Sequence, residues 1–337
     1  MRKRAILLAA ACGMASVASA QQGQTAAAVN INATKVELSL SHPTQMIDKV
    51  ACNSSGNIYA RVWAGDGSDT ARIPIQEITP EGSFVGKFSV EGPTQDTDLA
   101  KGIFVSDADV VYQMARTASG IYVTQFARDG SVKSSTQLEA DPVLVDPWQL
   151  AVFKAGGYLL SGLTGKGHRT PYTAVFDAKG KMVKKIYEPE DEEARQRAES
   201  GDQEYTRSNA GNQFVGFGDA TAGIDGNVYL LRGTSPTLVY AISPVGQVLR
   251  KLRIDAGTDY IAGEIKSYAG RLAIGFNSPG DQVLVVITDL EGKTTARYTV
   301  NRHKPDWPTL ACYDPKGFTF VTTYAEKGLY LLRANLQ

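Results

Sequence analysis

The feature that most constrains this chain is a turn that keeps returning. A glycine turn followed by a short strand recurs as TPEG-SFVGKFSV, ARDG-SVKSSTQL, DAKG-KMVKKIY, SPVG-QVLRKLRI and DLEG-KTTARYTV, with glycines at Gly82, Gly130, Gly180, Gly246 and Gly292. Their spacings are 48, 50, 66 and 46 residues. A second turn lies between them and leads into an aromatic or aliphatic strand, as in SSGNIYARVW, DADVVYQMAR, AGGYLLSGL, IDGNVYLLRG, YAGRLAIGF and DPKGFTFVTT. These turns centre on Gly56, Asp109, Gly157, Gly226, Gly270 and Gly317, spaced 53, 48, 69, 44 and 47 residues apart. The two long spacings span the same interval and mark one insertion, residues 188–212.

A period that runs through the whole chain demands a repeat architecture. Each unit holds four short strands, here a to d, with tight turns after a and after c. Val, Ile, Tyr, Phe and Leu fill the strands, while Gly, Asp and Asn supply the positive-φ turn positions. Four strands in about 45 residues is the size of a β-propeller blade. Six turns of the second kind, five of them followed by one of the first, therefore predict an all-β, six-bladed β-propeller over residues 35–337, with four antiparallel strands per blade. The sixth unit supplies only two strands after Gly317. Its missing outer strand is expected from residues 35–40, which would close the ring and remove its free sheet edges.

Unit four, DATAGIDGNVYLLRGTSPTLVYAISPVGQVLRKLRI, resembles an NHL-type propeller repeat through its D-G-x-φ-Y turn and its later φ-x-φ-x-x-x-G-x-φ half. The resemblance covers residues 35–337 as architecture. It implies the shape shared by binding scaffolds, lactonases and lyases, gluconolactonase-like propellers among them, and not one activity. The Glu, Asn and Asp ligand pattern of gluconolactonase-like propellers has no match at corresponding positions.

Residues 1–20 read as a signal peptide: Arg2, Lys3 and Arg4 form a positive start, an apolar run begins at Ala5, and Ala18-Ser19-Ala20 offers a cleavage site before Gln21. A lipoprotein anchored through Cys12 is the second reading, weakened because the usual Leu three residues earlier is absent. No retained transmembrane segment is expected after cleavage. The expected product is a secreted or periplasmic monomer with a flexible arm at 21–34. The 35 basic and 35 acidic residues balance, which excludes a nucleic-acid binder dependent on phosphate neutralisation.

Alternating strand direction puts the a–b and c–d turns on one face of the ring. The b–c loops and d-to-a connections fall on the other, the top, where irregular sequence concentrates and binding residues are expected. His42, His168 and His303 all fall there, and His42 and His303 flank the closure; they read either as a metal or acid–base pair or as solvated loop histidines. An acidic residue also recurs near the start of each inner strand: Asp48, Asp98, Asp146, Asp219, Asp259 and Asp306. Asp98, Asp146, Asp259 and Asp306 each stand eleven residues before their turn centre. A ring of carboxylates at the channel mouth would suit Ca²⁺ or another divalent cation, with Asp146, Asp219 and Asp306 as ligands. Alternatively, each Asp simply starts a turn by bonding its own backbone. Trp148, Tyr260 and Trp307 lie beside these carboxylates, either as a platform for a sugar, a peptide or a cation or as packing between blades.

Cys52 and Cys312 fall near the ends of inner strands in blades one and six and are predicted to form a disulfide across the closure. The insertion 188–212 is acidic first and basic later, reading as a lid over the channel or as a solvated loop. No nucleophile elbow, phosphate loop or zinc motif occurs. The first functional reading is a binding scaffold, acting through its top face on a small ligand or an envelope or extracellular protein. The second is a metal-dependent hydrolase or lactonase at the channel mouth, with His42 or His303 as base.

Overall fold

A computed structural model of the chain describes residues 27–40, 46–63, 74–89, 97–165, 170–186, 218–232, 237–257, 260–278, 280–302, 307–322 and 329–336. Every regular element among them is a β-strand. The strands form six antiparallel sheets, one per sequence repeat, in a six-bladed propeller. The innermost strands are Met46–Cys52, Thr97–Val105, Val145–Val152, Ala220–Ala222, Ile261–Tyr268 and Pro308–Asp314.

The recurring glycine turn has one construction throughout. In each c–d hairpin the glycine N–H donates to the carbonyl three residues back, at 2.9 Å in Gly82 to Thr79 and 3.0 Å in Gly180 to Asp177. The glycine takes a positive φ, +83° at Gly180, and the strand register shifts by one residue beside the turn. That is a three-residue hairpin with a bulge, which requires the left-handed conformation at the position glycine fills. The same turn also docks its blade: Gly180 O accepts from Glu139 N of the preceding blade at 2.7 Å, and Gly82 O accepts from Ser39 N at 2.8 Å. At the a–b turn of blade two, Asp109 takes the role of glycine with φ +58°. In blade three the matching residue is Gly156, one position before the centre read from sequence, although Gly157 is left-handed too.

Ring closure uses the N-terminal segment. Strand Ala33–Glu37 pairs antiparallel with Tyr330–Asn335 as the outer strand of blade six. The closing strand thus runs slightly earlier than residues 35–40. Val29–Ile31 adds in parallel to the outer strand of blade five, making that sheet five-stranded. Residues 29–31 and 33–34 are therefore strand, and the expected arm over 21–34 is corrected there. A parallel strand has no hairpin turn to announce it, so nothing in the repeat marks these residues.

The core lies between blades, where facing sheets pack. Ile58 and Ala60 of blade one meet Leu310 and Phe320 of blade six in one cluster that also includes Ile31. Residues 1–20, the insertion 188–212 and most of the top-face loops lie outside the described residues.

Candidate functional site

Inner strands converge on the axis, so their side chains build the channel. A cavity of about 280 Å³ occupies its a–b turn end. Its wall includes Asp219 and Thr221 of blade four, Lys266 and Tyr268 of blade five, Tyr313 of blade six and Asp107 of blade two. Cys52 and Cys312 line it as well and are joined as a disulfide, with Cα atoms 5.6 Å apart. The bond ties the inner strands of the first and last blades.

Inside the channel the carboxylate of Asp219 accepts from the Lys266 ammonium and from the Ile265 N–H at 3.3 Å. Both residues of this ion pair are largely shielded, with side-chain exposures of 21% and 15%. Glu264 stands two residues from Lys266 on the same strand. Burial pushes its carboxyl up to about 7, and the nearby Asp219 charge adds to the rise, while Lys266, the Leu310 N–H and Lys49 oppose it. Its carboxyl fits because the facing residue is Gly275, where a Cβ would come within 2.9 Å of Glu264 Oε2.

At the a–b mouth, Tyr268 and Tyr313 meet edge to face with ring centroids 6.2 Å apart, and Tyr313 stacks on Phe318. Burial raises the Tyr313 phenol above its ordinary range, against a hydrogen bond from Arg271 that lowers it. Asp314 uses Oδ1 to cap its own turn, accepting from Lys316 N at 2.7 Å and Gly317 N at 3.1 Å. Across the mouth, Ser54 donates its backbone N–H and its hydroxyl to Asp109, linking the a–b turns of blades one and two.

The acidic residues singled out by sequence do not share one environment. Asp219 lines the cavity, bonded to blade five. Asp146 faces Arg116 of blade two at 3.8 Å. Each is thus a bridge between neighbouring blades. Asp98 lies in the inner strand of blade two and Asp48 in that of blade one, their side chains outside the described set. Asp259, Asp306, His42, His168 and His303 fall outside the described residues. Among the described residues no three His, Cys, Asp or Glu side chains converge as metal ligands. With Asp146 and Asp219 each facing a cation, the described residues do not fit a divalent-ion site.

Five inner strands carry a β-bulge, and two of the six recurring aspartates, Asp48 and Asp98, sit on one. Register shifts leave Asp48, Asp98, Trp148, Gly263 and Ala311 as the extra residues. A bulge re-aims the side chain it carries and is common beside binding sites. Trp148 is partly buried at its bulge. Trp307 is 51% exposed, with the Arg302 guanidinium 4.9 Å from its ring, and Arg302 in turn holds the Ser278 and Gly280 carbonyls. Tyr260 packs on the core shared by blades four and five.

Sequence reasoning missed Glu264, Lys266, Tyr268 and Tyr313. A signal for the first two was present: Glu and Lys alternate in IAGEIKSY, a strand that belongs at the axis. Charged residues on an inner strand face the channel or a neighbouring blade, never open solvent along their full length.

The chain is similar in fold to a gluconolactonase of Xanthomonas campestris, with a TM-score of 0.53, 10% identity, and coverage of 91% of this chain and 97% of that one. It is similar to a candidate exported protein of Bacteroides fragilis, with a TM-score of 0.51, 10% identity, and coverage of 90% and 95%. No protein-family profile matches the chain, and no curated protein matches it in sequence. At these identities the likeness is one of fold: a six-bladed propeller with gluconolactonase-like neighbours.

Proposed function

We infer that this chain is an exported binding propeller whose central channel takes a small polar ligand. The observation that carries the reading is the channel cavity, closed on its sides by five blades and lined by both hydroxyl-bearing and charged side chains. Its size is just below the roughly 300 Å³ at which small-molecule sites begin, which suits a small ligand. Export is supported by the charged, apolar and small-residue order of residues 1–20. Sequencing of the secreted product tests it, with Gln21 as the expected first residue.

The binding reading is tested by thermal-shift and calorimetric titration of the mature chain. The panel is monosaccharides, amino acids, short peptides and organic amines. A ligand should raise Tm and lose affinity in Tyr268→Ala. A panel with no binder, tested at millimolar concentration, sinks the reading.

A lactone hydrolase is the second reading, supported by the fold likeness to a gluconolactonase and by Glu264, which stands beside the Asp219–Lys266 pair with its carboxyl pushed up to about 7 by burial. Lactone hydrolysis that disappears in Glu264→Gln would put this reading first.

A further inference from the structure

We propose that the a–b mouth of the channel selects an organic cation, an alkylammonium or guanidinium group held between the Asp107 and Asp314 carboxylates and the Tyr268 and Tyr313 rings. The inference rests on the channel being the ligand site and names the class of ligand it takes.

The charges lining the cavity are Asp107, Asp219 and Asp314 against Lys266. Asp219 and Lys266 satisfy each other as an ion pair. What remains among the lining charges is negative: Asp107, which is exposed, and the second oxygen of Asp314, whose Oδ1 alone caps the turn; the Arg271 guanidinium that donates to the Tyr313 phenol is not among the lining residues. The two aspartates stand on blades two and six, on either side of blade one, whose a–b turn residues Asn53 and Ser54 complete this side of the mouth. The nearby Asp109 is already engaged by Ser54 and belongs to the frame.

Aromatic rings line the blade five and blade six side of the mouth, where Tyr313 adjoins Asp314 in the chain and stacks one face on Phe318. Tyr268 is 43% exposed and Tyr313 partly buried, and both line the cavity. Ring faces attract cations, and the attraction grows where water is excluded. Carboxylates beside aromatic faces recognise an ammonium; a carboxylate ligand would meet repulsion at the same mouth. A neutral polyol would find hydrogen bonds here but no use for the rings' charge preference. Ile224 and Leu290, both lining the cavity, offer apolar surface for the carbon part of such a cation.

The test is titration of the full mature chain with four probes of similar size: putrescine, choline, glycerol and propionate. Putrescine or choline should bind, more weakly as salt increases, while glycerol and propionate should not. Asp107→Asn, which deletes a charge and no hydrogen bond within the described structure, should weaken binding roughly tenfold. Asp314→Asn keeps the turn cap and should do the same, with an unchanged Tm reporting an intact fold. Tighter binding of an arginine- or lysine-containing tripeptide than of putrescine would support the class and identify the source as a protein side chain. Binding of glycerol or propionate in place of the amines overturns the proposal and leaves the channel reading standing. No binding by any probe overturns both.

Discussion

Asp219 of blade four and Lys266 of blade five close an ion pair inside the central channel, and the carboxyl of Glu264 is buried beside it. A third charge in that space is what the fold resists, and Glu264 responds by holding its proton to about pH 7. The sign follows from proton counting. The native state keeps this proton after the unfolded chain has released it, so the stabilisation is complete below about 4.5 and is lost as pH rises through 7. Glu264→Gln should remove this loss. Denaturant titrations at pH 5 and 8 should show the wild type losing on the order of 2–3 kcal/mol more than the variant. Equal losses would mean the carboxyl is solvated.

The Cys52–Cys312 bond joins inner strands 260 residues apart in sequence. Restriction of so long a loop in the unfolded chain is worth about 4 kcal/mol or more by the entropic account. The paired variant Cys52→Ala with Cys312→Ala should show a clear drop in Tm, and dithiothreitol should lower the wild-type Tm toward the same value. Thiol titration of the unfolded, unreduced mature protein should find no free thiol. One thiol would show that the segment carrying Cys12 has been retained.

Gly180 and Gly226 have the same φ, +83°, but different surroundings. A Cβ at Gly180 would lie 1.9 Å from the Gln137 carbonyl oxygen of the neighbouring blade, whereas at Gly226 nothing lies within 4 Å. Gly226→Ala should cost about 1 kcal/mol, the penalty of left-handed backbone alone. Gly180→Ala should cost several times more, because two blades must separate. Equal costs in chemical denaturation would show that the docking contact yields freely.

The N-terminal closure makes its own prediction. Val36 packs on the core shared by blades six and one, and its strand completes blade six. Deleting residues 27–37 leaves the edge of Tyr330–Asn335 unpaired. The shortened chain should aggregate or lose its cooperative transition, and a synthetic peptide covering 27–40 added during refolding should restore part of it.

The ring was legible in the sequence because its turns are local. Gly82, Gly130, Gly180, Gly246 and Gly292 each announce a hairpin within four residues, and their period counts the blades. The site was much less legible, because its members meet only across blades. Asp146 and Asp219 both stand near the start of an inner strand, yet one faces Arg116 and the other Lys266. Bulges add to the difficulty: one extra residue, such as Gly263, moves every later side chain to the other face of its strand. Glu264 therefore could not be assigned to the channel by alternation alone. The cavity among the described residues lies by the a–b turns, while the residues expected at the top face lie largely outside the described set.

Closure by Ala33–Glu37 on Tyr330–Asn335 also sets an order of events. The outermost strand of the last blade is synthesised before any inner strand, and its partner follows nearly 300 residues later. At roughly 5–20 residues per second, that strand waits tens of seconds without its native neighbour. Five blades can form by local hairpins in the meantime, but the circle is completed only by a contact of very long sequence separation, a slow kind of step. A chain with such a schedule keeps its last blade open until its final strand has been made.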